Sequence, residues 1–126
     1  MQRRSLKIIK WLFILAVAAV LPSATISWAQ GKTALSPAAK GGQKVFEQNC
    51  ALCHFADQAN AKIGPGLKGV LKNKELPYSH KPATVANARE QVEKGNPQGK
   101  PMAMPPFGNK LSKTQLDNLL DYLKTL

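Results

Sequence analysis

At 126 residues the chain is sized for one domain, and its formal net charge of +11 comes from 18 Lys and Arg against 7 Asp and Glu. Two cysteines are too few for a disulfide framework, and no repeat or second hydrophobic block marks another domain. Lysine-rich and arginine-poor charge without an aromatic ladder argues against nucleic acid, and favours acidic proteins or anionic lipid.

The first elements form a targeting segment. Arg3, Arg4, Lys7 and Lys10 make a positive start, and Trp11 to Leu21 is an uncharged apolar run too short to span a bilayer comfortably. Pro22 breaks it, and Ser27 and Ala29 place small residues before a cleavage point. Residues 1–29 therefore read as a signal peptide cut near Ala29–Gln30. The alternative is an uncleaved anchor, with Trp11–Trp28 approaching spanning length. Export implies a periplasmic or other exported bacterial compartment, free or membrane-associated, where disulfides can persist. The remaining part has about 97 residues, with 14 Lys and Arg against 7 acidic residues, or about +7. Chains this short hide a modest share of their surface on folding, and apolar residues are sparse between Gly31 and Gly108. A domain like this would benefit from a staple or from an apolar cofactor to fill its interior.

Residues 30–35 read as a flexible leader, and the folded domain as 36–126. Ser36 followed by Pro37 predicts a helix start, with Ser36 as cap and Pro37 where its missing N–H costs nothing. Val45 and Phe46 are its large apolar residues. Gly41 and Gly42 weaken it, which makes sense if another element crosses closely there. Pro82 to Gly95 predicts a second helix, with Val85, Ala88 and Val92 along one side and Gly95 and Pro97 as the stop. The segment between them, Phe55 to Lys81, reads as loops. Pro101 to Gly108 cannot be regular helix, because prolines restrict both themselves and their predecessors. The last helix carries a capping-box pattern, Ser112 and Gln115, followed by Leu116, Leu119, Leu120 and Leu123 at helical spacing with Tyr122 beside them. It should run about four turns and dock by its apolar face, since a helix so short is not stable alone. No alternating run predicts a sheet. The fold class is all-α, three or more short helices with long loops around a large apolar object.

The chemistry centres on Cys50-Ala51-Leu52-Cys53-His54. A thioredoxin-like dithiol would need a sheet behind it and a βαβ unit after it, and neither is predicted. A zinc site could add His80 to Cys50, Cys53 and His54, at awkward spacing. A simple disulfide would leave His54 idle. The remaining reading is C-x-x-C-H, the attachment signature of one covalent c-type haem. In it, Cys50 and Cys53 form thioethers with the vinyl groups and His54 gives Nε2 to iron. The opposite face has Met104, Met102 and His80 as candidate ligands, or stays open. Methionine pairs well with histidine on iron and raises the potential. Pro105 restrains Met104, which favours it over Met102, the alternative distal ligand. His80 sits in the polar run Y-S-H-K. Leu67, Val70 and Phe107 are candidates for the apolar haem wall.

These residues resemble a small class I cytochrome c of the bacterial exported type, mono-haem and His/Met-ligated, from about Ser36 to Leu126. Gly42 and Phe46 match the family's first-helix glycine and aromatic, which imply packing across the last helix at Tyr122. G-P-G-L at Gly64–Leu67 resembles the segment whose proline carbonyl accepts a hydrogen bond from the ligand histidine, which implies that Pro65 orients His54. M-P-P-F-G from Met104 resembles the methionine loop. The Gly69–Ala83 linker is the least typical part. The resemblance implies a one-electron carrier, not an enzyme, passing electrons through an exposed haem edge between periplasmic or membrane-bound redox partners. Its partners would be acidic-surfaced redox proteins of reductase, oxidase or reaction-centre type. Membrane contact would be transient or through an uncleaved leader, and the protein would be a monomer. Lys62 and Lys100 lie beside the two loops as candidate docking lysines. Competing readings are a haem sensor or small-ligand binder with a labile distal ligand, and a peroxidase, which has no evident distal base here.

Overall fold

The computed structural model describes residues 34–126. The signal-peptide reading of residues 1–29, its anchor alternative and most of the 30–35 leader fall outside the described residues. Three α-helices follow in chain order: α1 (Pro37–Asn49), α2 (Val85–Lys94) and α3 (Lys113–Leu123). Among the described residues the only β pairing is two isolated bridges, Glu75 with Pro82 and Asn96 with Met104. The fold is all-α, and none of these helices is long and apolar enough to cross a membrane.

Local signals set the helix ends. Ser36 Oγ accepts the Ala39 N–H at 3.1 Å, and Pro37 opens the first turn. Thr84 caps α2 by accepting from the Asn87 N–H at 3.2 Å, and Gly95 ends it with φ of 68°. α2 therefore begins at Val85 rather than at Pro82. The Pro82 carbonyl is occupied by the Thr84 N–H and the Asn87 side chain, both at 2.8 Å, which holds that stretch as a turn. Val85 consequently stays exposed, a correction to its expected place on the buried side, while Ala88 and Val92 are buried. The capping box of α3 is complete, with Gln115 N–H on Ser112 Oγ and Ser112 N–H on Gln115 Oε1. α3 makes three turns instead of about four. Both the N–H and the hydroxyl of Thr125 turn back onto the Tyr122 carbonyl, and that ends the helix.

The core is the crossing of α1 and α3, closed at its side by α2 and the loops. Leu116, Leu119, Leu120, Tyr122 and Leu123 face Val45 and Phe46, and all are buried. Burial of each leucine side chain is worth roughly 1.5–3 kcal/mol, so this stripe alone outweighs the weak helix propensity of the two glycines in α1. Phe46 and Tyr122 meet tilted, with centroids 5.6 Å apart. Gly42 makes the approach possible. A Cβ there would overlap the Asn118 backbone carbonyl and come within 2.8 Å of Tyr122 Cβ. Arg89 reaches from α2 to Asp117 on α3 and to Glu93 at 3.8 Å on its own helix, tying the two helices at the surface.

Candidate functional site

α1 runs straight into the cysteine motif. The Cys50 N–H closes on the Phe46 carbonyl at 2.8 Å. The Cys53 and His54 N–H groups then close on the Cys50 carbonyl at 3.0 and 2.9 Å, continuing the winding by one turn. This brings Cys50, Cys53 and His54 to the wall of one cavity of about 350 Å³.

The G-P-G-L loop folds back over this turn. The Ile63 and Gly64 N–H groups donate to the Cys53 carbonyl at 3.2 and 2.8 Å, and the Leu67 N–H donates to the Phe55 carbonyl at 2.8 Å. Lys62 adds its ammonium to the Ala51 carbonyl at 2.8 Å and lies over the Phe55 ring. The loop thereby sets Pro65 O 2.9 Å from His54 Nδ1. A carbonyl only accepts, so Nδ1 carries the hydrogen, and Nε2 is the nitrogen left for a metal. Gly64 is required for this contact, because a Cβ there would overlap the imidazole.

A second supply of side chains comes from the loop after α2. Asn96 and Met104 exchange both backbone hydrogen bonds, at 2.9 and 3.0 Å, closing a loop that returns Met104 to the cavity wall. Met104 is half-buried against the core, whereas Met102 lines the same cavity at 62% exposure. Phe107 is fixed by its N–H on the Val92 carbonyl at 3.0 Å and is buried. Leu67, Val70 and Phe107 all line the cavity, and His80 does not. His80 points to Glu75 at 3.6 Å from a mostly exposed position.

The electrostatics separate the alternatives. Burial, and secondarily the neighbouring Cys53, pushes the Cys50 thiol up to about 11. Redox-active dithiols need the reverse shift, toward thiolate. Both cysteines are free, so no disulfide closes the motif. Among the described residues no three His, Cys, Asp or Glu side chains gather into a metal cluster, which removes the zinc reading with His80. What remains is two thiols, one oriented imidazole and two thioethers, Met104 half-buried and Met102 exposed, around an apolar wall. That donor set fits a covalently attached porphyrin: sulfur for the tethers, soft and borderline ligands for iron, and apolar surface for the macrocycle.

Sequence reasoning missed part of the wall. The atypical linker supplies Leu76, Pro77 and Tyr78, with Leu76 buried. The short apolar run L-P-Y inside an otherwise polar segment was the available signal. Ile63, Asn96 and Gly99 also line the cavity and carried no pattern of their own.

An all-α domain with a C-x-x-C-H turn and an apolar cavity defines a small haem-binding class. The cytochrome c family model matches residues 39–126, and the chain belongs to the cytochrome c family. It is 33% identical over 82 residues to a cytochrome c6 from a Synechococcus species, a match covering 65% of this chain and 64% of that protein. The chain thus spans just under two thirds of that relative's length. The cofactor is a single covalently bound haem c, in keeping with the Cys50-Cys53-His54 spacing.

Proposed function

We propose that this protein is a one-electron carrier and not an enzyme, with Cys50 and Cys53 as thioether attachment points and His54 Nε2 and Met104 Sδ as the iron ligands. The observation that carries the reading is that Met104, brought by its own loop, lines the same cavity as both thiols and the oriented His54. When bound, the haem supplies the Fe(III)/Fe(II) couple. The protein's residues do the rest. Pro65 fixes the tautomer and orientation of His54. Leu67 and Phe107 exclude water from the cavity and lower its polarity. Met104 would hold the iron as its second protein ligand, an uncharged donor that would favour the ferrous state and compete with exogenous ligands.

The surface suits transient docking. Lys40, Lys44, Lys68, Lys72 and Lys74 have no carboxylate partner among the described residues, and Lys100 stands at the cavity itself. Such a surface steers acidic redox proteins of reductase, oxidase or reaction-centre type into weak, fast encounters. The cytochrome c family and the cytochrome c6 relative are consistent with an exported, periplasmic setting. The test is electron exchange with an acidic redox protein, followed together with CO binding to the reduced protein. The expected result is a rate that falls with ionic strength and no CO adduct. Ready CO binding would contradict the proposal and favour a small-ligand sensor.

A further inference from the structure

Among the described residues, Lys100 is the only basic side chain besides His54 that lines the cavity, and no carboxylate lines it. Its ammonium has no ion pair among the described residues, whereas Lys81, Lys94, Lys113 and Lys124 each hold a carboxylate. The other polar liners divide into two groups. Asn49 spends its amide N–H on the Val45 carbonyl at 2.9 Å, and Gln91 spends its own on the Gly95 carbonyl at 2.7 Å. Asn96 Nδ2 and the Tyr78 hydroxyl have no protein acceptor among the described residues. The Asn96 amide nitrogen lies beside Gly99, the residue before Lys100, since a Cβ on Gly99 would sit 3.3 Å from it.

A haem enters this wall with two carboxylates. Negative charge at the edge of an apolar cavity needs a partner or water, and a cation with an adjacent amide donor meets that need best. We propose that Lys100, with the Asn96 amide of the same loop, anchors a haem carboxylate and so ties the methionine loop to the cofactor. The inference rests on the haem reading above. Its mechanical content comes from the loop: Lys100 lies between Asn96 and Met104, whose mutual hydrogen bonds close the segment. Holding Lys100 at the carboxylate restrains the loop that presents Met104, which makes Lys100 a positioning residue.

The experiment uses the intact haem-loaded protein and four variants, Lys100→Gln, Lys100→Arg, Tyr78→Phe and, as a charge-removal control, Lys113→Gln, an exposed lysine that does not line the cavity. Two readouts apply: redox-difference infrared bands of the haem carboxylates, and displacement of methionine from ferric iron by added imidazole. Lys100→Gln should shift the carboxylate bands and let imidazole compete at up to about fivefold lower concentration, the ceiling for a solvent-edge ion pair. Lys100→Arg should restore both, and Lys113→Gln should change neither. Unmoved bands in Lys100→Gln, or bands that move only in Tyr78→Phe, overturn the anchor while haem and methionine band stay intact. A wild-type protein lacking attached haem overturns the functional reading, and this anchor with it.

Discussion

Gly42→Ala tests the helix crossing on which the cavity stands. The new methyl would overlap a backbone carbonyl, that of Asn118, and approach Tyr122 Cβ to 2.8 Å. Backbone cannot rotate away, so the cost lies at the top of the overpacking range, about 3 kcal/mol. Replacing glycine inside a helix returns about 1 kcal/mol of propensity. The net loss is then about 2 kcal/mol, which for a domain of this size lowers Tm by about 8–16 °C. The neighbouring position supplies the control. A Cβ at Gly41 would meet only the Asn118 side chain, with its amide nitrogen nearest at 2.9 Å, the free end of a group that can turn aside. Gly41→Ala should therefore be neutral or stabilise by up to about 1 kcal/mol. Thermal unfolding of the haem-loaded proteins by far-UV circular dichroism reads both. Gly42→Ala at or above the wild-type Tm, or two glycines behaving alike, would refute the packing argument.

Three further outcomes follow from the same structure. Replacing Cys50 and Cys53 together by serine should abolish covalent haem, so that intact mass shows the polypeptide alone; haem surviving denaturation would reject both assignments. Gly64→Ala places a methyl against the His54 ring, and should convert part of the protein from a low-spin to a high-spin visible spectrum, whereas an unchanged spectrum would deny the loop its role. Hydrogen bonds from Lys81 and then Lys94 hold the Glu90 carboxyl down to about 2. A depressed carboxyl stabilises the fold above its ordinary value of 4.5 and loses that contribution as pH falls toward 2. The stability gap between wild type and Glu90→Gln should accordingly close across that window and shrink in high salt. A gap that persists at pH 2 would contradict the pairing.

The parts of this molecule that were legible in the sequence are those governed by local rules. Ser36 with Pro37, and Ser112 with Gln115, announce their helices because a cap needs only residues three apart. The leucine spacing of α3 fixes which face is buried, and the paired glycines of α1 announce a close crossing. Cys50, Cys53 and His54 are readable together because one helical turn holds all three. Less was legible where tertiary contacts decide. Val85 has the right spacing for the buried side of α2 but sits at its first turn, where nothing covers it. Leu76, Pro77 and Tyr78 reach the cavity through a turn closed by the Glu75–Pro82 bridge, a pairing with no periodic signature. Lys100 was legible as a candidate docking lysine beside the methionine loop, but its place on the cavity wall depends on how that loop closes and has no sequence signature.

The most direct test of the account is the near-infrared spectrum of the ferric protein, recorded for wild type, Met104→Ala and Met102→Ala. Wild type and Met102→Ala should show the charge-transfer band of methionine-ligated haem, because Met104 is half-buried at the cavity and Met102 is mostly exposed. Met104→Ala should lose the band. Its persistence in Met104→Ala, or its loss in Met102→Ala, would move the axial ligand and contradict the site described above.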